Sequence, residues 1–480
     1  MHTTASYSIR KAKGAASCNT LKLLYLLVNK FIIKIEDNIE DQEMLEKQFN
    51  FILYLCALAI LSFPLTLYAE SISGDSVPVP GLQRMTTVNI IDSTSYVGYY
   101  TSITTGKDGF PVISYYDYRN GYIKVAKCAD ASCTPASVTK NIIDSTGSLG
   151  GLRTSITTGK DGFPVISYTG GFPIVSNYVS RSRDEYLRVA KCGDASCSPA
   201  SVTKNIIDST GHFGEYTSIA IGKDGFPVIS YADGLPGDSD YAFKNKYLKV
   251  AKCADASCSP AAVTKNIIDS TEPVGEYTSI AIGKDGFPVI SYTDAFPVIS
   301  NDKKNRNLKV AKCADASCSP ATVTKNIIDS AELVGEYTSI TIGRDGFPII
   351  SYWDISNKGL KVAKCGDASC SPATVTKNII DTTELVSDHT SITIGTDGFP
   401  IISYYDYKKK YLKVAKCGDA SCSPATVTKN IIDSTGQAGW YTSITIGKDG
   451  SPVISYWDMT DQTLKVARCI NQFCGNPLKR

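Results

Sequence analysis

Residues 441–458, YTSITIGKDGSPVISYWD, decide the fold of this chain. YTSITIG alternates apolar and small polar residues at period two, Lys448-Asp449-Gly450 is a turn signal, and PVISYWD alternates again, so the stretch reads as a β-hairpin. In its other copies the hairpin is followed by two more short runs, LKVAK and VTKNIID. The Asn-Ile-Ile-Asp element begins at Asn89, Asn141, Asn205, Asn266, Asn326, Asn378 and Asn430. The Asp-Gly turn falls at Asp108, Asp161, Asp224, Asp285, Asp345, Asp397 and Asp449. A fixed period of roughly 50–60 residues marks stacked copies of one supersecondary unit.

Four strands per unit, seven units and no helical periodicity in the repeats predict an all-β fold, a seven-bladed β-propeller. An open solenoid is the competing arrangement; it needs distinct caps at both ends, whereas here the ends look complementary. Blades converge at the ring axis, so the run richest in Ser, Thr, Ala and Gly, TSITIG or TSIAIG, is placed innermost as strand a. PVISY becomes strand b, LKVAK strand c, and the lysine-bearing VTKNIID strand d at the outer edge, where lysine resists pairing with another chain. The chain then opens with an unpartnered strand d (Thr86–Asp92) and closes with a strand c (residues 464–468) that lacks one. The first strand is expected to complete the last blade and latch the ring.

The repeat resembles those of bacterial secreted propellers related to the Asp-box, or sialidase-like (BNR-type), proteins, with T-S-I-T-I-G-K-D-G-F-P-V-I-S-Y in the place of their hairpin. The resemblance spans about residues 86–474 and implies a propeller. It departs from the Asp box, S/T-x-D-x-G-x-x-W/F: Asp449 and its equivalents are followed directly by Gly, with no Trp in register. Arginines are not placed for the carboxylate-binding triad of sialidase-like enzymes, so that activity is not carried over.

Of sixteen cysteines, Cys18 and Cys56 precede the repeats, and the other fourteen form C-x4-C pairs: Cys128/Cys133, Cys192/Cys197, Cys253/Cys258, Cys313/Cys318, Cys365/Cys370, Cys417/Cys422 and Cys469/Cys474. One pair per unit predicts a local disulfide in each repeat. Zinc is the rival, but each unit offers two thiols and no accompanying histidine where tetrahedral zinc needs four ligands. Residues 49–67 are apolar almost throughout and lead to Leu67-Tyr68-Ala69, which reads as a secretory signal peptide starting near Met44, with residues 1–43 an overextended start. The other reading is a cytoplasmic tail and membrane anchor, since about 19 apolar residues can just span a bilayer. The expected organisation is therefore a leader over 1–69, a linker over 70–85, the propeller over 86–474 and a tail over 475–480, in a secreted or cell-envelope protein.

Lys plus Arg (49) nearly balance Asp plus Glu (47), which removes the basic footprint of a nucleic-acid binder. No Ser-His-Asp set, P-loop or dinucleotide fingerprint is present, and no cofactor or metal is implied. The Asp-Gly turn explains itself without calcium, and the Asp residues of NIID and after ISY recur symmetrically, as loop caps do. Function is expected where units differ. After Ile-Ser-Tyr the column reads Tyr116, Thr169, Ala232, Thr293, Trp353, Tyr405, Trp457. The d-to-a connections add Tyr99 and Trp440, and put Glu215, Glu276, Glu336 and Asp388 on blades 3 to 6. In blades 2, 3 and 4 the b-to-c loop lengthens instead.

The expected ligand face is thus an arc of Tyr99, Tyr116, Trp353, Tyr405, Trp440 and Trp457 with the adjacent Asp117, Asp354, Asp406 and Asp458. Aromatic faces with nearby carboxylates suit sugar rings and serve equally for a peptide; the bland reading is packing between blades. Three functions are carried: a monomeric, non-catalytic exported module binding a glycan or an extracellular protein; a sialidase-like glycoside hydrolase or lyase; and a structural envelope protein that displays its loops.

Overall fold

The computed structural model describes residues 86–145, 153–170, 186–210, 215–234, 246–271, 273–294, 306–331, 333–382 and 386–475. The leader and linker, the three lengthened b-to-c loops and residues 476–480 lie outside the described residues. Seven four-stranded antiparallel sheets form the ring, each with its strands in the order a-b-c-d. In blade 1 these are Val97–Thr105, Pro111–Asp117, Tyr122–Cys128 and Val138–Ser145. Every strand a packs against the strand a of the blades on both sides, so the small-residue strands meet at the axis.

Blade 7 consists of Ala438–Ile446, Pro452–Asp458 and Thr463–Cys469, and Thr86–Asp92 supplies its strand d, with Thr86 opposite Cys469 and Asn89 opposite Val466. The expected closure is what is observed. The latch strand is also tied sideways to blade 1: Asn89 Nδ2 donates to Ser132 O at 2.8 Å, and Asp92 accepts from Tyr115 Oη at 2.8 Å and Lys124 Nζ at 2.5 Å.

The hydrophobic core is divided among seven clusters, one at each blade-to-blade interface. The one across the seam joins Ile91, Val97, Ile113 and Tyr115 to Val453, Leu464 and Val466. Its polar complement repeats around the ring. The Thr of T-S-I bonds to the Ser of I-S-Y in the preceding blade, as in Thr101 Oγ1 to Ser455 Oγ (2.9 Å) and Thr278 Oγ1 to Ser230 Oγ (2.8 Å). Each buried hydroxyl is thereby satisfied, as burial requires.

The symmetric acids have structural partners. Asp108 Oδ1 accepts from Phe110 N (3.0 Å) across its turn and pairs with Lys127 Nζ, whose ammonium also lies over the Phe110 ring. Gly109 sits at φ 81°, where a side chain is strained.

The predicted cysteine pairing is observed in every unit: Cys128–Cys133, Cys192–Cys197, Cys253–Cys258, Cys313–Cys318, Cys365–Cys370, Cys417–Cys422 and Cys469–Cys474 are disulfides. All fourteen cysteines are buried, so they staple the blades from within and present no reactive thiol. What the spacing did not anticipate is the backbone of the second partner. Cys133, Cys197, Cys258, Cys318, Cys370, Cys422 and Cys474 all take positive φ, between 51° and 55°. This left-handed conformation is uncommon outside glycine, and here the turn imposes it. The amide of the second cysteine donates back to the residue three before it, as Cys133 N does to Asp130 O at 3.3 Å and Cys474 N to Asn471 O at 3.1 Å. The clipped loop is also a docking point, because the Asn of each NIID reaches it in the next blade, as Asn141 Nδ2 does to Ser196 O at 2.8 Å. Seven disulfides point to an oxidising compartment. No helix among the described residues is long and apolar enough to cross a membrane.

Candidate functional site

Strand a carries a β-bulge just before its T-S-I segment; in blade 3 it lies between the pairs Glu215/Ala232 and Ser218/Ser230. The bulged residue takes positive φ: Tyr100 (49°), Tyr216 (54°), Tyr277 (51°), Tyr337 (52°), His389 (58°) and Tyr441 (54°). Positive φ is costly for an aromatic residue and persists only where surrounding packing imposes it. The bulge re-aims these side chains toward the axis. With Arg153 from blade 2, they line a cavity of about 160 Å3 floored by the Thr residues of T-S-I. The sequence reading missed this ring. Its signal was the column immediately before T-S-I, where Tyr gives way to Arg153 and His389.

Around the axis the side chains touch in sequence: Tyr216 to Tyr277 at 4.7 Å, Tyr277 to Tyr337 at 4.6 Å, Tyr337 to His389 at 4.2 Å, His389 to Tyr441 at 4.5 Å and Tyr441 to Tyr100 at 4.3 Å between centroids. Arg153 fills the remaining gap, its guanidinium carbon 3.9 Å from the Tyr216 centroid and 4.9 Å from that of Tyr100. Burial, and then the Arg153 charge, hold His389 well below the usual imidazole range, so it is neutral at pH 7. Burial foremost, with neighbouring phenols, pushes Tyr277 and Tyr441 well up; Tyr99 is pushed up to about 12 by burial and by Tyr118, Tyr96 and Tyr100.

Around this mouth the blades diverge. Tyr99 stands opposite Tyr116 across strands a and b, and Trp440 opposite Trp457. Tyr99 contacts Trp457 at 4.2 Å, Tyr405 contacts Trp440 at 5.1 Å, and the two tryptophans meet edge-on at 6.5 Å. Five of the six expected arc residues therefore converge across blades 6, 7 and 1. Trp353 stands apart on blade 5, its ring 6.3 Å from Tyr337. The arc is layered: Tyr116, Tyr405 and Trp457 are buried, Tyr99, Trp440 and Trp353 half-buried. Tyr118 and Tyr407, not singled out from sequence, stand exposed at 39% and 48% beside it. The indole N–H groups of Trp353, Trp440 and Trp457 have no hydrogen-bond partner among the described residues.

Asp117, Asp354, Asp406 and Asp458 are buried and cap their own b-to-c turns, accepting from Asn120 N, Asn357 N, Lys409 N and Thr460 N at 2.8 to 3.1 Å. Each also pairs with the lysine of strand c, from Lys465 Nζ–Asp458 at 2.7 Å to Lys124 Nζ–Asp117 at 3.9 Å. On the opposite side, Glu276 faces Thr293 and Glu336 faces Trp353. Arg306 bridges both glutamates, reaching Glu276 at 2.9 Å, and Lys246 joins Glu276 at 3.2 Å. All four are buried.

No protein-family model matches the chain, and no curated protein matches it. Solved structures do. A protein of unknown function from Dyadobacter fermentans is 12% identical over 81% of this chain and 99% of its own, at a TM-score of 0.50. The polysaccharide lyase Uly1 is 10% identical over 83% of this chain and 94% of its own (TM-score 0.48). The NanB sialidase of Streptococcus pneumoniae is 11% identical over 81% of this chain and 71% of its own (TM-score 0.47). At such identities the likeness is one of fold alone.

Proposed function

We propose that this propeller is an exported, non-catalytic binding module that takes a glycan on the axial face, over the aromatic layer of blades 6, 7 and 1. One observation carries the reading: Tyr99, Trp440, Tyr118 and Tyr407 leave ring surface accessible beside a cavity that is itself walled by aromatic rings. Such surfaces stack on the C–H faces of sugars. The acids at the mouth support binding over turnover, because Glu276 and Glu336 are held in ion pairs with Arg306 and glycoside hydrolysis works through a pair of carboxyl groups flanking the scissile bond. The test is a glycan-array screen of the full chain beside a panel of chromogenic glycosides. Binding without turnover is expected; turnover moves the reading to a hydrolase or lyase, and an array without signal removes the glycan.

A further inference from the structure

Arg153 is the one cationic side chain in the axial ring, and it differs from the other cations described at the mouth. Lys246 and Arg306 are matched by Glu276 and Glu336. Its side chain has no carboxylate partner and no hydrogen bond among the described residues; the guanidinium lies over the rings of Tyr100, Tyr216 and Tyr277, the last at 5.7 Å. Aromatic faces satisfy the flat sides of a guanidinium but leave the five N–H donors around its edge unanswered. A stacked guanidinium is also pre-oriented, so little freedom is lost when its planar fork meets a planar two-oxygen acceptor. The cavity beside it, about 160 Å3, holds neutral hydroxyls and the neutral His389, and none of its lining residues is acidic.

We propose that Arg153 binds the carboxylate of an acidic sugar, so that the glycan taken at this face carries hexuronic acid residues. This rests on the glycan reading above and names its charge. The carboxylate would dock in the mouth against Arg153 while neighbouring sugar rings lie over Tyr99 and Trp440. A fork-to-carboxylate contact is worth about ten- to a hundredfold in affinity.

The experiment is calorimetric titration of the full chain with oligogalacturonate and oligoglucuronate, each beside its methyl ester, which keeps the ring and removes the charge. The acids are expected to bind at least about tenfold tighter than the esters, with the gap narrowing as salt rises. Arg153→Gln is expected to erase the gap while ester affinity stays put, and Arg153→Lys to keep part of it. Should Arg153→Gln fail to fold, the wild-type acid-to-ester ratio and Arg153→Lys decide. Equal binding of acid and ester overturns the Arg153 proposal and leaves the glycan reading standing. Silence from both uronates, with neutral glycans bound on the array, does the same. Silence from every glycan, or Arg153-dependent binding of an acidic peptide alone, overturns both.

Discussion

Blades 7 and 1 and blades 4 and 5 place different residues at one and the same structural position. Where the first two set Trp440 against Trp457 and Tyr99 against Tyr116, the others set Glu276 against Thr293 and Glu336 against Trp353. The scaffold beneath is shared by both: the Thr–Ser hydroxyl pair, the capped Asp-Gly turn and the disulfide loop recur. The halves are thus held by different forces. The aromatic half relies on area removed from water and tolerates an unpaired indole N–H; the ionic half works only while every charge keeps its partner.

That difference can be broken from the ionic side first. Arg306→Met removes the buried cation shared by Glu276 and Glu336, leaving Glu276 with Lys246, and is expected to cost about 3–5 kcal/mol, read as a fall in the denaturant midpoint. Adding Glu336→Gln, while Glu276 keeps Lys246, is expected to recover most of it; no recovery would show that Arg306 acts through packing. On the aromatic side, Trp457→Ala, at 4% exposure, is expected to cost about 3–5 kcal/mol. The half-buried Trp353→Ala is expected to cost about 1–2 kcal/mol, in keeping with its smaller burial. Equal losses for the two tryptophans would contradict the layering of the arc.

Acid sharpens the contrast further. His389 has a folded pKa below the roughly 6.5 of an unfolded histidine, so its contribution is complete above that pH and declines as pH falls beneath it. Melting temperature should therefore slope downward from about pH 6.5 to 5, and His389→Tyr, the residue of five other blades, should flatten that interval. Below about pH 4 both proteins lose stability, because Asp92, Asp269 and Asp329, against the upward push of burial, have carboxyls held down by lysine and hydroxyl partners. The smallest effect lies far from the axial face. Six outer strands carry a lysine that pairs with the preceding blade's Asp, as Lys204 does with Asp144, whereas the latch strand has Val88 there. Val88→Lys is expected to change stability by less than about 1 kcal/mol, as surface pairs do.

The architecture was legible because each unit repeats the same small set of signals and seven copies average out local ambiguity. Strand order, the latch and the disulfides followed from where Ser and Thr, Lys and Cys recur. The arc was legible as a set, but not its depth. Strand b runs on through Asp117, Asp406 and Asp458, so the aromatic after Ile-Ser-Tyr is a strand residue covered by the neighbouring blade, where a loop residue would have stood at the rim. The axial ring was hidden for another reason. Simple alternation does not anticipate a bulge, and the bulge alone turns Tyr100 and its counterparts to the axis. Positive φ at Cys133 and its six counterparts escaped the sequence in the same way, because a pairing read from spacing carries no backbone angle.

The seam between Thr86–Asp92 and Thr463–Cys469 has a consequence for the order of events in making the molecule. Of the propeller's strands, the one synthesised first has for its partner the one synthesised last, so six blades can stack while the latch strand waits and the outer edge of the seventh stays open. Bringing such distant segments together costs only logarithmically more entropy than closing a short loop, yet it cannot begin until the last blade has been made. Until then Val88 and Ile90, exposed even in the closed ring, and the open edge of Thr463–Cys469 are free to pair with another copy's equivalents. A rearranged gene that begins at a d-to-a connection would give seven blades of contiguous sequence and remove that interval altogether, trading a covalently staggered closure for a seam held by side chains alone.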